Sequence, residues 1–277
     1  MEEVFSSIDL VGACLLDTKR TLAFQKAIHK NVKNGDTVIE LGTGSGIMSL
    51  FAAKAGAQKV LAIEFDPYVA KVATNNIKDN ELNNIIEVLV ADATSVLLQS
   101  DLKFDIVISE MITSGLVDEY QAQGLNNIHR QGITHKNTIF IPCRQKSYIT
   151  ACDVDFNLYD NLNLKMILHL WSYFNLNKEE LSDKILLNDF DFTKPIEEIF
   201  NEEIQIPIHK SGTINALLLS SVSFLDKELS LTNTKSLNPP VIIPIEDRKV
   251  NKGDTIKVKV EYELGGGFEN FKISYII

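Results

Sequence analysis

Three closely spaced glycines, Gly42, Gly44 and Gly46, separate a predicted strand from a predicted helix. Glycine lets the backbone turn sharply, and it lets a ligand approach the main chain because no Cβ stands in the way. The helix that follows begins with N–H groups that have no partner within the helix, so they can bind a polar ligand. A loop of this kind can also be a packed turn that binds nothing, so the surrounding residues must distinguish the two cases.

Acidic residues around the loop indicate which ligand it would bind. Glu64 ends the next predicted strand, 18 positions after Gly46, where a carboxylate can accept hydrogen bonds from both hydroxyls of a ribose. A dinucleotide fingerprint would need glycine or alanine at the position of Ile47, and Glu40 would repel a pyrophosphate. These features favour S-adenosylmethionine, which carries an ammonium and a sulfonium. Asp92, after the following strand, is then placed to receive the adenine amino group.

The composition is that of an ordinary globular protein. Of the 277 residues, 45% are hydrophobic and 23% are charged, which excludes a disordered, collagen-like or disulfide-stapled chain. The net charge of −10 disfavours nucleic-acid binding, because an acidic surface repels phosphates. The 3 cysteines form no CxxC pair and the 5 histidines lack metal-ligand spacing, so we expect reduced thiols and no metal site.

The sequence shows neither an export signal nor a membrane segment. The chain begins Met1-Glu2-Glu3, which is acidic where a signal peptide carries positive charge. Its apolar runs are far shorter than the roughly 20 residues that span a bilayer. We therefore expect a soluble, cytoplasmic protein that does not associate with membranes.

The pattern of predicted secondary structure changes near residue 141. Before it, helical patterns alternate with apolar runs at 37–41, 59–64, 85–90, 104–109 and 138–141, as expected for a parallel sheet covered on both faces. After it, predicted strands such as 146–152, 213–224 and 255–263 are separated by Gly and Pro turns. We expect an α/β, Rossmann-like domain over 1–141. An antiparallel β-barrel or sandwich domain would follow over 142–277, with a short helical insertion at about 158–186.

Three stretches make the chain resemble the protein arginine methyltransferases and their bacterial relatives. The segment from Asp17 to Thr21 is similar to the family's D-x-x-R-T motif, and the run from Gly42 to Ala57 resembles its cofactor loop and following helix. Glu110 and Glu119, nine residues apart, match the spacing of the family's two-glutamate hairpin. The likeness is tight over residues 13–120 and loose beyond them.

The resemblance implies a class I S-adenosylmethionine-dependent methyltransferase in which Glu110 and Glu119 are the catalytic residues. Arg20 would bind the carboxylate of the cofactor, although an arginine in a polar helix can also be merely solvated. The residues expected to bind S-adenosylmethionine, whose product is S-adenosylhomocysteine, are Arg20, Glu40, Gly42, Thr43, Gly44, Gly46, Glu64, Phe65, Asp92 and Ala93.

Two carboxylates suit a guanidinium acceptor. A guanidinium holds five N–H donors in a planar fork and stays protonated at neutral pH. Charge-assisted bonds to Glu110 and Glu119 would hold the fork and leave one nitrogen facing the methyl donor, and either residue could accept the proton. The alternative is that Glu110 caps the end of a strand and Glu119 lies on a solvated helix face.

Three departures from the family pattern concern the acceptor pocket and the lid over the cofactor. Between the glutamates, Met111-Ile112-Thr113-Ser114-Gly115 replaces an aromatic residue or Met followed by Gly-Tyr. Val241-Ile242-Ile243 stands where the family's Thr-His-Trp loop should follow Pro240, so we expect that part of the acceptor wall to be lost. The N-terminal aromatic helix is reduced, with only Phe5 corresponding.

Several functions remain open at this point. The first is methylation of a guanidinium, as arginine in a protein or as a free metabolite. The acceptor could instead be a lysine, an amine metabolite or RNA, or the chain could be a degenerate relative that binds the cofactor without turnover. Little room for the family's helical dimerisation arm is left between Trp171 and Phe192, so we expect weak or absent dimerisation of the family type.

Overall fold

In the residues that the structure describes, the first half of the chain forms a five-stranded parallel sheet with five α-helices. The computed structural model describes residues 7–98, 103–159, 162–171 and 176–276. The strands are β1 (Thr37–Leu41), β2 (Lys59–Glu64), β3 (Ile86–Val90), β4 (Phe104–Ser109) and β5 (Thr134–Ile141). Their order is β3-β2-β1-β4-β5, with every neighbouring pair parallel. The helices are α1 (Ile8–Leu16), α2 (Thr18–Asn31), α3 (Ile47–Ala55), α4 (Pro67–Asp79) and α5 (Gln121–Gln131).

Local sequence explains these elements. The central strands β1, β2 and β4 are buried along almost their whole length, which fits their continuous apolar character. Helix α4 begins at Pro67, and the carboxylate of Asp66 caps it by accepting hydrogen bonds from the backbone N–H groups of Tyr68 (2.7 Å) and Val69 (2.9 Å). The predicted parallel sheet is confirmed.

The second half is antiparallel. Its strands are β6 (Arg144–Val154), β7 (Asn157–Leu158), β8 (Leu162–Asn163), β9 (Leu168–His169), β10 (Lys178–Glu180), β11 (Ile185–Asp191), β12 (Ile199–Pro207), β13 (Gly212–Phe224), β14 (Ser230–Leu231), β15 (Val241–Val250), β16 (Thr255–Glu263) and β17 (Lys272–Tyr275). A seven-stranded sheet has β6 and β13 at its centre, and a separate sheet has the order β12-β16-β17. Short 3₁₀ turns lie at η1 (Ser114–Leu116) and η2 (Phe268–Asn270). The predicted change from parallel to antiparallel structure is confirmed.

One buried core joins the two halves. Ile108 on β4 and Leu116 on η1 belong to the same buried cluster as Ile149 on β6 and Leu219 on β13. The antiparallel half therefore packs directly on the segment that follows β4. That segment carries the predicted catalytic residues.

The predicted helical insertion at 158–186 is wrong for the part of it that the structure describes, where β7 to β11 are short strands and no helix is found. The physical reason is that the apolar residues of this segment alternate with polar ones, at Asn163, Lys165 and His169, whereas a helix would repeat them every three or four positions. Leucines recur on one side of this alternation, as in a half-buried strand, at Leu162, Leu164, Leu168 and Leu170.

Across the described residues, no helix combines the length and apolar character needed to cross a membrane. The same part of the chain holds no group of three or more His, Cys, Asp or Glu side chains arranged to bind a metal ion.

Candidate active site

A cavity of about 910 Å³ opens at the carboxyl ends of the parallel strands. Residues that end or follow β1, β2, β3 and β4 line it, together with one side of α1 and parts of the antiparallel half. The carboxyl edge of a parallel sheet is where α/β proteins bind their ligands, because the loops there leave a crevice. The cavity is large enough for a nucleoside cofactor and a second reactant.

The glycine loop brings bare main chain to the cavity wall. Gly42 and Gly44 have φ of +69° and +55°, a region that L side chains rarely adopt. A Cβ at Gly42 would approach the side chain of Met111 to 3.0 Å, and one at Gly44 would meet Val11 at 3.4 Å. Both glycines line the cavity, as does Thr43. Gly46 does not; it caps α3 and packs against α4.

Glu64 is fixed against the loop by backbone groups. One of its carboxylate oxygens accepts a hydrogen bond from the N–H of Gly44 (2.8 Å), and the other accepts one from the N–H of Asp66 (3.1 Å). The side chain is 4% exposed and lines the cavity. A rigid acceptor therefore stands at the end of β2, where the sequence predicts the ribose site.

Glu40 is buried beneath the loop. Its carboxylate accepts hydrogen bonds from the hydroxyls of Thr43 (2.7 Å) and Ser49. Burial raises the pKa of Glu40 to about 7, although the two hydroxyls oppose the shift. Near neutral pH this carboxyl is thus divided between its charged and neutral forms.

Asp92, Ala93 and Phe65 also line the cavity. The carboxylate of Asp92 accepts hydrogen bonds from the backbone N–H of Thr94 (2.8 Å) and the hydroxyl of Ser95 (3.0 Å). Burial would raise the pKa of Asp92, but these bonds outweigh it and lower the pKa below its usual range. The role of Asp92 towards adenine stays a prediction, because this carboxylate already caps the turn after β3.

Arg20 is paired with one of the two glutamates. Its guanidinium forms an ion pair with the carboxylate of Glu110, and both side chains are less than 10% exposed. The Nη1 group also donates to the carbonyl of Cys14 (3.2 Å). The buried Nε has no hydrogen-bond partner within the described residues. The alternative of a merely solvated Arg20 is wrong, because the side chain is enclosed and lines the cavity.

Arg20 is positioned by an aspartate that bridges the two halves of the chain. Asp17 accepts a hydrogen bond from the backbone N–H of Arg20 (3.2 Å) and so caps α2. Its other oxygen accepts bonds from the N–H (2.8 Å) and hydroxyl (2.9 Å) of Ser236 and from the hydroxyl of Thr234. Asp17 is 2% exposed, so this link between residues far apart in the sequence is shielded from solvent.

Glu119 is the second glutamate, and its charge is less well compensated. It lies between η1 and α5, half-buried, and lines the same cavity as Glu110. Burial raises the pKa of Glu119 to about 8; Arg20 opposes the shift and Asp118 adds to it. The alternative of a solvated helix face does not fit this position, because Glu119 precedes α5 and faces the cavity.

A glutamine that the sequence analysis missed holds the two glutamates in one loop. The side chain of Gln121, at the start of α5, accepts hydrogen bonds from the Ser109 hydroxyl (2.9 Å) and the Met111 N–H (3.1 Å). Its amide donates to the Ser109 carbonyl (2.9 Å). Gln121 is fully buried, so the loop from β4 to α5 is closed at its base. Its place after Glu119 in the sequence gives no signal of this role.

A histidine and a tryptophan line the cavity from an unexpected segment. His169 on β9 and the neighbouring Trp171 both belong to its lining. Strand β9 pairs with β15, and His169 lies opposite Val241 in the register. The cavity lining therefore includes a His and a Trp, although the segment at 241–243 has neither, as the sequence analysis states. The two rings come from a segment about 70 residues before Val241-Ile242-Ile243 in the chain.

Helix α1 closes the cavity from above the glycine loop. Leu10, Val11 and Cys14 contribute to the lining, and the hydroxyl of Ser7 caps the helix by accepting from the N–H of Leu10 (3.3 Å). The predicted counterpart of the family's aromatic lid, Phe5, lies outside the described residues.

Comparison with known proteins assigns the family. The family model described as ribosomal protein L11 methyltransferase (PrmA) matches residues 18–136. Protein arginine N-methyltransferase 1 of Caenorhabditis elegans is 30% identical, over 92% of this chain and 78% of its own. The chain belongs to the protein arginine methyltransferase family. It is thus an S-adenosylmethionine-dependent methyltransferase of the arginine-methyltransferase type, as the resemblance implied.

Two further comparisons bear on this arginine-methyltransferase-like protein. An uncharacterized protein of Methanocaldococcus jannaschii is 33% identical over 94% of both chains. A chain of the Trypanosoma brucei PRMT1 enzyme–prozyme heterotetrameric complex with AdoHcy superposes with a TM-score of 0.75 at 20% identity, covering 93% of this chain and 88% of that one. The expected Rossmann-like domain followed by an antiparallel β domain is therefore confirmed as the fold.

Proposed function

We propose that this methyltransferase acts on a guanidinium nitrogen, of arginine in a protein or as a free metabolite. The observation that carries the proposal is the convergence of two glutamates, Glu110 and Glu119, on the cavity that holds the glycine loop. A guanidinium is the acceptor that a pair of carboxylates recognises best, because its planar fork offers parallel N–H donors to both.

The cofactor side fits S-adenosylmethionine. When bound, this cofactor supplies an electrophilic methyl group on a sulfonium. The unpaired Nε of Arg20 is a buried donor suited to a carboxylate, and Glu64 offers acceptors for ribose hydroxyls. The residues that would hold the cofactor are Arg20, Glu40, Gly42, Thr43, Gly44, Glu64, Phe65, Asp92 and Ala93, with Gly46 shaping the loop behind them.

The two glutamates would have different tasks. Glu110 is held in place by Arg20, so it presents a carboxylate that is already oriented and charged. Glu119 accepts no hydrogen bond within the described residues and would gain a partner when a cationic acceptor arrives. Two such contacts fix the guanidinium plane and direct its remaining nitrogen towards the donor side of the cavity, which contributes to rate through positioning.

Glu119 is also the better proton acceptor of the two. A guanidinium nitrogen that gains a methyl group must lose one proton, and a carboxylate in contact with it can take that proton. The pKa of Glu119, raised by burial to about 8, gives this carboxylate a higher proton affinity than an exposed glutamate has. Glu110 is less suited, because its carboxylate is already engaged in the ion pair with Arg20.

Methyl transfer from labelled S-adenosylmethionine tests the proposal. Wild-type protein should label arginine-rich peptides or free arginine but not the matched lysine peptides or RNA. Glu110→Gln and Glu119→Gln should each lower kcat/KM by roughly 100- to 10,000-fold while cofactor binding by isothermal titration persists. Glu87→Gln, which removes an exposed carboxylate on β3, is the matched control. Labelling of lysine or RNA alone, or full activity in both glutamine variants, would contradict the proposal.

We infer that the protein does not form the family's dimer through a helical arm, and that it functions in a reducing compartment such as the cytoplasm. Between residues 176 and 192 the described structure consists of strands and loops, and this supports the first point. The three cysteines are all free thiols, which supports the second. Light scattering should give the monomer mass at low micromolar concentration; a tight dimer there would refute the inference.

A further inference from the structure

The aromatic pair on and after β9 has no role in the chemistry described so far. We propose that His169 and Trp171 form the surface that recognises the cation of the acceptor, so that β9 is the specificity element of the cavity. This inference rests on the proposed function, since it concerns the acceptor of the same site. It is supported by the position of the two rings relative to the glutamates and by their geometry.

One set of contacts ties β9 to the loop that carries the glutamates. The backbone N–H of Leu170, between the two aromatic residues, donates to the carbonyl of Pro240 (2.7 Å). The carbonyl of the adjacent Pro239 accepts a hydrogen bond from the buried hydroxyl of Ser114 (2.7 Å), which lies between Glu110 and Glu119 in the sequence. The Pro239–Pro240 turn therefore lies between β9 and the glutamate loop and touches both.

A second, independent contact reaches the same loop from the other side. The ring of His169 meets the ring of Phe268 edge to face, with centroids 5.3 Å apart and planes at 89°. The backbone N–H of Gly267, the residue before Phe268, donates to the carbonyl of Val117 (2.9 Å), two residues before Glu119. These contacts place β9 beside the loop that carries Glu110 and Glu119, and His169 lines the cavity there.

The two rings are arranged to receive a flat cation. The planes of His169 and Trp171 are inclined by only 17°, with centroids 6.3 Å apart, and both residues are half-buried. A tryptophan face attracts a guanidinium through its quadrupole and by stacking. Burial lowers the pKa of His169, so the imidazole is neutral at pH 7 and does not repel a positive ligand.

Aromatic faces and carboxylates select together for arginine. The carboxylates satisfy the in-plane N–H donors of a guanidinium, while a ring covers its face, which an ammonium does not present. Without the rings, the glutamates would attract any cation that fits. We therefore expect the loss of Trp171 to weaken arginine binding and to narrow the preference for arginine over lysine.

Tryptophan fluorescence reports on Trp171 alone, because the sequence contains a single tryptophan. Excitation of the wild-type protein, saturated with S-adenosylhomocysteine, should give emission that changes on titration with an arginine peptide. The matched lysine peptide should give a far smaller change. An emission that is unaffected by saturating arginine peptide would overturn the proposal.

Variants of Trp171 and His169 separate an effect on acceptor binding, read as KM, from an effect on methyl transfer, read as kcat. Trp171→Ala should raise KM for the arginine peptide about tenfold, leave kcat within about twofold and leave cofactor affinity unchanged. Trp171→Phe should recover part of the loss, and His169→Ala should raise KM by a smaller factor. The controls are Tyr159→Ala, which removes an aromatic ring that is 81% exposed, and His209→Ala, at another half-exposed histidine. The melting temperature of each variant reports whether it folds.

The outcomes distinguish the two proposals. A wild-type protein that methylates arginine, with a Trp171→Ala variant of unchanged KM, would overturn the recognition surface and keep the proposed function. A wild-type protein that transfers no methyl group to arginine, but whose Trp171 emission responds to arginine peptide, would overturn the proposed function and keep the surface. Neither transfer nor an emission change would overturn both.

Discussion

The cavity has two walls that differ in how their residues are held. The cofactor wall contains the glycine loop, Glu40 and Glu64, and the acceptor wall contains Glu110, Glu119, His169 and Trp171. On the cofactor wall, the two glutamates accept hydrogen bonds from residues no more than 20 positions away in the sequence: Glu64 from the backbone N–H groups of Gly44 and Asp66, and Glu40 from nearby hydroxyls. These two carboxylates therefore have hydrogen-bond partners before any ligand binds.

The acceptor wall depends on residues that are far apart in the chain and on charges that are incompletely paired. Glu110 pairs with Arg20, Glu119 accepts no hydrogen bond within the described residues, and the rings of His169 and Trp171 come from the second half. A buried carboxyl with a raised pKa is stabilised by a cationic ligand. The contrast indicates that the cofactor wall is preformed, whereas the acceptor wall reaches its favourable charge balance only with a cation in place.

The largest effect on cofactor binding should come from a bulky side chain in the glycine loop of the cofactor wall. Gly44→Val places a branched side chain at φ +55°, against Val11 and in the path of the cofactor, so binding of S-adenosylmethionine should become undetectable by isothermal titration. Gly132→Val is the matched control, because Gly132 has φ +59° but a Cβ there would meet no atom within 4 Å, and the residue lies away from the cavity. Cofactor binding in Gly44→Val at near wild-type affinity would show that the loop does not form the site.

The second effect concerns the ion pair on the acceptor wall. Arg20→Ala leaves the buried carboxylate of Glu110 unpaired, so the free energy of unfolding should fall by about 3 kcal/mol. Adding Glu110→Gln to that variant should restore much of the loss, since no buried charge then remains. Urea denaturation of the two single variants and the double variant measures the coupling, and additive losses would show that the pair is not coupled in solution.

The third prediction uses the raised pKa of Glu119. Only the carboxylate can hold a guanidinium, so kcat/KM should increase with pH until about 8, by about tenfold per pH unit below that value, and then level off. Residual activity in Glu119→Gln should lack this limb. A wild-type profile that is flat between pH 6 and about 8 would contradict the role given to Glu119.

The same titration affects folding with a definite sign. Because Glu40 and Glu119 bind protons more tightly in the folded state than glutamates in an unfolded chain, the folded state holds more protons between the ordinary carboxylate range and about pH 8. The free energy of unfolding of the ligand-free protein should therefore decrease as pH rises through this window. Glu119→Gln should reduce that slope.

The smallest effect should come from a buried tyrosine that supports the glutamate loop. The Tyr262 hydroxyl donates to the carbonyl of Gly115 (2.9 Å) and accepts from the side chain of Asn188 (2.8 Å). Tyr262→Phe removes both bonds, so we expect unfolding to become easier by about 1–3 kcal/mol and kcat to fall several-fold. Tyr275→Phe is the control, since its hydroxyl donates to an exposed backbone carbonyl. An unchanged kcat would show that the loop is held without Tyr262.

The cofactor wall was predictable because its signals are local. Gly42, Gly44 and Glu64 follow directly from the strand–loop–helix pattern, and the structure brings them to one edge of the sheet. The roles of Glu110 and Glu119 towards an acceptor stay predictions, although their spacing did predict that they share a cavity.

The acceptor wall was less predictable because its contacts are long-range. The pairing of β9 with β15 brings His169 opposite Val241, and nothing in either segment alone indicates that partner. The predicted helical insertion spans the alternating leucines of 162–170, and this error conceals the strand that carries His169 and precedes Trp171. Gln121 and Asp17 likewise act through partners that only the folded chain identifies.

The Asp17 link has an evolutionary consequence. Its carboxylate fastens the start of α2, and with it Arg20, to Thr234 and Ser236 in the antiparallel half. A recombination event that exchanged the C-terminal half for that of another methyltransferase would thus also release the arginine nearest the reaction centre. The two halves are expected to be inherited as one unit, and chimeras joined near residue 141 should need a compatible hydroxyl pair to recover a working enzyme.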